Sequence, residues 1–139
     1  MTNLVISSSL NPKSRSRLLA LIAFKTLKNL GESVDWLDLA DHSIPFCDGD
    51  STYKNSKVKE LREKIQNAKG VIFAVPIYNY DVNAAAKNLI ELTGDAWTNK
   101  VVGFLCAAGG KGSYMSVMSL ANSLMLDFRC LIIPRFVYS

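Results

Sequence analysis

Residues 71–76 read VIFAVP: five apolar side chains in succession, Val71 to Val75, closed by Pro76. The run is too short for a buried helix, and it is apolar at every position rather than at every second one. That is the pattern of a central strand in a parallel sheet, covered by helices on both faces. Proline brings no amide hydrogen to a ladder, so Pro76 is expected to stop the strand. Val101 to Cys106 (VVGFLC) has the same character, and Asn3 to Ser7 (NLVIS), with no room for a helix before Pro12, reads as a buried first strand. Three such strands, far apart in the chain, ask for helices between them.

The intervening segments supply them. Ser14 or Ser16 opens a helix that runs to Leu30, with Leu18, Leu21, Ile22 and Leu30 at helical spacing and Gly31 just past its end. Ser33 to Leu39 (SVDWLDL) alternates polar and apolar residues, as an edge strand does. After an aperiodic loop, Asp41 to Tyr53, Ser56 caps a second helix with Val58, Leu61 and Ile65 on one face, ending at Gly70. Downstream come a loop at Ile77 to Asp81, a helix from about Asn83 to Leu92, and a glycine-rich loop at Gly109 to Gly112. A helix from Ser113 to Phe128, with Met115, Met118, Leu124 and Met125 inward, and a last strand, Cys130 to Val137, complete the chain. The alternation βαβαβαβαβ predicts an α/β fold: a flavodoxin-like, doubly wound, five-stranded parallel sheet of order 2-1-3-4-5 in three α/β/α layers, favoured over the six-stranded Rossmann order. Right-handed crossovers put helices two, three and four on one face and leave helix one for the other. A further helix is expected there after strand five, so either residues beyond Ser139 or another chain should cover that face.

The 139 residues at 15.3 kDa fit one domain spanning 1–139, and 49% hydrophobic with 20% charged residues excludes overall disorder. No apolar stretch approaches the roughly 18 residues that cross a bilayer, and the start MTNLVISSSL does not read as a secretory signal, so a cytoplasmic location is expected. Cys47, Cys106 and Cys130 are too sparse for a disulfide framework or a CxxC site. Sixteen basic against twelve acidic residues give +4, suited to anionic small molecules and unlike an acidic electron carrier; six of the basic residues, Lys54 to Lys69, read as a solvated helix face rather than a nucleic-acid stripe. His42 stands alone, so a catalytic triad has no base. Asp48 and Asp50 are the only close acidic pair, and no metal site is expected.

Ligands in such sheets bind beyond the carboxyl ends of the strands. The loop after strand one, Ser7 to Ser16, holds five serines, Asn11, Lys13 and Arg15 in ten positions immediately before a helix. Hydroxyls beside the free amides of a helix N-terminus make an anion site, so a phosphate is expected there. There is no GxxxxGK[ST] and no GxGxxG. The loop after strand three, Pro76-Ile77-Tyr78-Asn79-Tyr80-Asp81, offers flat rings and an amide to a planar heteroaromatic group or, equally, a packed loop. The loop after strand four, Ala107 to Ser113, is small enough to let backbone amides approach a ligand.

With these motifs in view, SSSLNPKSRSRLLA resembles the phosphate loop of the NADPH-dependent FMN reductases. PIYNYDVNAAAKNLIE resembles their P-x-Y-N stretch with its later Lys-Asn, and AAGGKGS resembles their glycine-rich loop, in register from Asn3 to Val137. The SRS at Ser14 to Ser16 and the AAGG loop are most similar to the flavin reductases that feed two-component alkanesulfonate monooxygenases; quinone, azo-dye and chromate reductases share the motifs. The resemblance implies that Ser9, Asn11, Ser14 and Ser16 hold the FMN phosphate, with Arg15 near it or near the NADPH phosphate. It implies that Pro76, Ile77, Tyr78 and Asn79 line the isoalloxazine, and that Gly109, Gly110 and Lys111 border its other edge. Ser8 stands where the family often has Gly, Asn11 where it often has Arg, and Ala84 where Gly is common.

It further implies an oxidoreductase in which NADPH or NADH delivers hydride to flavin N5, with electrons leaving as reduced FMN or passing to a quinone-like acceptor. The chemistry is flavin-borne, so no catalytic side chain is expected. A partner monooxygenase and a homodimer or homotetramer also follow from the resemblance. Two other readings stay open from the residues: a flavodoxin-like electron-transfer or flavin-binding protein without hydride chemistry, and a scaffold with an empty pocket.

Overall fold

The computed structural model describes residues 1–139 apart from the side chain of Lys111, so the expectation placed on that side chain lies outside the described residues. The elements are β1 (Thr2–Ser7), α1 (Arg15–Asn29), β2 (Val34–Asp38), α2 (Ser56–Asn67), β3 (Ala68–Tyr78), β4 (Asp81–Val82), α3 (Ala84–Thr93), β5 (Val101–Ala107), α4 (Met118–Phe128), β6 (Leu131–Ile132) and β7 (Val137–Tyr138). β2, β1, β3 and β5 pair side by side in parallel, and β6 and β7 follow one another along the free edge of β5. Taken as one interrupted fifth strand, β6 and β7 complete the expected order 2-1-3-4-5. β4 alone runs antiparallel, folding back on the end of β3.

Five local expectations are corrected. The last strand is not continuous from Cys130 to Val137: the ladder lapses around Pro134, which has no amide to contribute. β3 does not stop at Pro76 but runs on to Tyr78. β1 ends opposite Ala74, and the Pro76 carbonyl accepts from the amide of Asn83 on the side β1 has vacated, so the missing N–H interrupts no strand pair. Asn55, not Ser56, caps α2, its Oδ1 accepting from the amides of Lys57 and Val58; that helix ends at Asn67, and Gly70 lies inside β3. α4 begins at Met118 rather than Ser113, and Met115 is exposed; Leu120, Ala121 and Leu124 are buried, and Met125 packs against the core as expected. In α1 the fully buried side chains are the small Ser16 and Ala20, which let the helix sit close, and Phe24 and Leu27 pack beside them, while Leu18, Ile22 and Leu30 are exposed.

The two faces of the sheet are unequal. Under α2, α3 and α4 lies the main core, centred on Phe73, whose ring stacks at 5.5 Å on Trp97 and 6.1 Å on Phe104. Under α1 is a small cluster of Val5, Ala20, Val34 and Ala74. Beyond α1 the same face leaves Val101, Leu131, Ile133 and Val137 exposed. No helix among the described residues is long and apolar enough to cross a membrane.

Candidate functional site

The register brings the three unusual loops to one edge. Ser7 ends β1 beside Ala74, and Pro76 lies opposite Ala107 near the end of β5, so the chain leaves all three strands at nearly the same height.

The first loop is built by its own hydroxyls. Ser14 caps α1, its Oγ accepting from the amide of Arg17 at 3.1 Å, and lies 3.2 Å from the hydroxyl of Ser16. Ser9 Oγ accepts from the amide of Asn11 at 3.2 Å, and Asn11 Oδ1 accepts from the amide of Lys13. Ser9 therefore satisfies a backbone donor with a lone pair and keeps its own hydrogen for an acceptor from outside, and the Ser14–Ser16 hydroxyl pair, sharing one hydrogen between them, leaves the other for the same use. The amides of Arg15 and Ser16, in the first turn of a fifteen-residue helix, have no intrahelical partner. Ser7 Oγ, at the end of β1 on the α1 side, is buried with no hydrogen-bond partner among the described residues. Hydroxyl hydrogens and helix amides converging at the positive end of a dipole fit a phosphate ester.

A second arginine joins the cations read from the sequence. Arg15 is exposed, as are Lys13 and Asn11, whereas Arg17, one turn into α1, pairs through Nε with the carboxylate of Asp38 at the end of β2. That hydrogen bond and charge raise the guanidinium above its ordinary pKa. Nothing in the spacing separated Arg17 from Arg15, because the choice depends on where β2 ends.

The second loop is a two-residue hairpin. β3 and β4 pair Ile77 with Val82 and Tyr78 with Asp81, leaving Asn79 and Tyr80 at φ of 53° and 63°, the type I′ pattern. Pro76 and Ile77 are buried as strand residues, so the side chains at the open edge are Tyr78 and Asn79. In the third loop nothing lies within 4 Å of a Cβ placed on Gly109 or Gly110, so that backbone is open to an approaching group. A cavity of about 560 Å³ between Leu10, Asn11, Tyr78, Asn83 and Ala84 joins the first loop to the second. Another of about 320 Å³ flanks Gly109 and Gly110, against Tyr114 and Tyr138.

Two of the three thiols, Cys106 and Cys130, are buried and held protonated. Burial pushes Cys106 up to about 11 and Cys130 upward as well. Among the described residues no cluster of three His, Cys, Asp or Glu side chains is arranged to hold a metal ion. The edge thus offers an anion cradle, flat side chains and open backbone, the equipment to hold a phosphorylated planar group rather than to perform acid-base chemistry.

A family model described as NADPH-dependent FMN reductase matches residues 1–139. The chain is 29% identical over 109 residues to an NAD(P)H-dependent FAD/FMN reductase of Geobacillus thermodenitrificans (strain NG80-2), covering 76% of this chain and 58% of that protein. It is 27% identical over 140 residues to an NAD(P)H:quinone oxidoreductase of Solanum tuberosum, covering 94% and 71%. Among solved structures, an apo NADH:FMN oxidoreductase (EMOB) superposes with a TM-score of 0.80 at 21% identity over 99% of this chain and 74% of that one. The fold is therefore shared, and the chain spans little more than half of the Geobacillus reductase.

Proposed function

The chain belongs to the NADPH-dependent FMN reductase family, and on that footing we propose that it binds FMN at the three-loop edge as an NAD(P)H-dependent FMN oxidoreductase. The observation that carries this reading is the first loop, where the hydroxyls of Ser9, Ser14 and Ser16 surround the unpaired amides of α1. These groups hold the phosphate, and the Arg17–Asp38 pair fixes the first turn of α1 against the end of β2. Tyr78 and Asn79 border one side of the ring and the open backbone at Gly109 and Gly110 the other. FMN bound there would supply the hydride-accepting ring. The protein's part is to fix the phosphate, orient the ring and leave one face open to the nicotinamide. Electrons leave as reduced FMN, to a partner monooxygenase, or reach a quinone-like acceptor; the quinone and azo reductases among the relatives support the second route.

The site of action is the cytoplasm, and the assembly is a homodimer or homotetramer, a reading supported by the apolar residues left exposed beside α1. NADPH consumption at 340 nm, with and without added FMN, tests the activity. Oxidation that saturates in FMN identifies FMN as substrate, oxidation by yellow protein only with a quinone or dye identifies bound FMN, and no oxidation in either arm rejects the reading. Sedimentation velocity tests the assembly.

A further inference from the structure

Asn83 immediately precedes the alanine-rich start of α3, where an asparagine side chain ordinarily caps the helix, but here it makes no capping bond. It is 6% exposed and turned the other way: Nδ2 donates to the carbonyl oxygen of Ser8 at 2.7 Å, and Oδ1 accepts from the Ser8 hydroxyl at 2.8 Å. Ser8 is itself fully buried, and its hydroxyl has the Ala74 carbonyl at 3.1 Å as a second acceptor. The amide of Asn83 meanwhile donates to the Pro76 carbonyl at 3.2 Å, closing the base of the hairpin. One residue thus grips the backbone of the serine loop with its side chain and the backbone under Tyr78 and Asn79 with its amide. Past Ser7 the β1–β3 ladder has ended, apart from the Ser8 amide bonded to the Ala74 carbonyl at 3.0 Å.

We infer that Asn83, through its reciprocal pair with Ser8, is a positioning residue that sets the spacing between the anion cradle and the ring-binding hairpin. The inference rests on the proposed flavin site. A ligand that spans both subsites gains from their fixed separation because its second contact forms at high effective concentration; a ligand touching only one subsite gains nothing from it. The pair should therefore discriminate FMN, which carries the phosphate, from riboflavin, which lacks it, although Ser8 is fully buried and the Asn83 side chain is turned to Ser8.

The test is titration of FMN and of riboflavin, each followed by flavin fluorescence, into wild type, Asn83→Ala, Ser8→Ala and the double variant, with thermal unfolding of each protein alongside. The expected result is a loss of FMN affinity of about tenfold in each single variant, with riboflavin affinity held within about twofold and the double variant no worse than either single one. Asn83→Ser, which can cap α3 but is too short to reach the Ser8 carbonyl, carries the same expectation and replaces Asn83→Ala should that protein not fold. FMN and riboflavin weakening by the same factor, or neither weakening, overturns the inference while leaving the flavin site standing. Wild type that binds neither flavin overturns both.

Discussion

Ser14 has one duty in the fold and a second in the proposed site, and they can be separated by measurement. As the cap of α1 it accepts from the Arg17 amide, a bond whose loss costs about 1 kcal/mol. In the proposed cradle its hydroxyl, paired with that of Ser16, would face the phosphate. Ser14→Ala is expected to lower stability by that modest amount while weakening FMN binding by tenfold or more, read by thermal unfolding beside a flavin titration. The cysteines make a second prediction at this scale. Cys106 and Cys130 are buried and held as thiols, whereas Cys47 is partly open to solvent. Iodoacetamide at pH 8 should label Cys47 alone in the folded protein, as mass spectrometry of peptides would show. Burial raises Cys106 from 9.0 to about 11, so the unfolded chain releases this proton first as pH rises. The stability linked to it is intact below pH 9 and lost between 9 and 11, with Tyr138, raised from 10.0 to about 12, continuing the fall. The thermal midpoint should decline across that window, and Cys106→Ala should flatten its first part.

The β3–β4 hairpin shows how an element accommodates a residue it does not favour. A type I′ turn asks for positive φ at both central positions; Asn79 accepts this readily, and Tyr80, at φ of 63°, does not. Tyr80→Gly creates the preferred Asn-Gly pair and is expected to raise stability by up to about 1 kcal/mol in denaturant unfolding. Its ring lies across the third loop, where a Cβ on Gly112 would stand 3.5 Å from the hydroxyl. The same variant should therefore weaken flavin binding, strain and binding moving in opposite directions. The turn composition was legible in the chain, and Tyr78 and Asn79 do reach the edge. The hairpin itself was not, because Pro76 looked like a stop until β1 was seen to end opposite Ala74.

For the molecule as a whole, the sheet is held mainly from one side. Phe73 stacks between Trp97 and Phe104 at the centre of the larger core, and Phe73→Ala is expected to cost about 3–5 kcal/mol, checked by urea unfolding. That is a large part of the roughly 5–15 kcal/mol a domain has in total. The amino-acid sequence by itself determined the strand order and the edge at which the three unusual loops meet. Fully apolar strands must be covered on both faces, and right-handed crossovers then leave few arrangements. It also marked the serine loop, because hydroxyls crowded before a helix suit an anion whatever lies around them. Only the tertiary structure decided that Arg17 rather than Arg15 is pinned by Asp38, that Asn83 reaches Ser8 across 75 positions instead of capping its helix, and that Leu18 and Ile22 stay exposed while Ser16 and Ala20 meet the sheet. Periodicity reports which side of an element is apolar. The partner a polar atom finds depends on which remote loop arrives beside it, and that is settled only when the strands have taken their register.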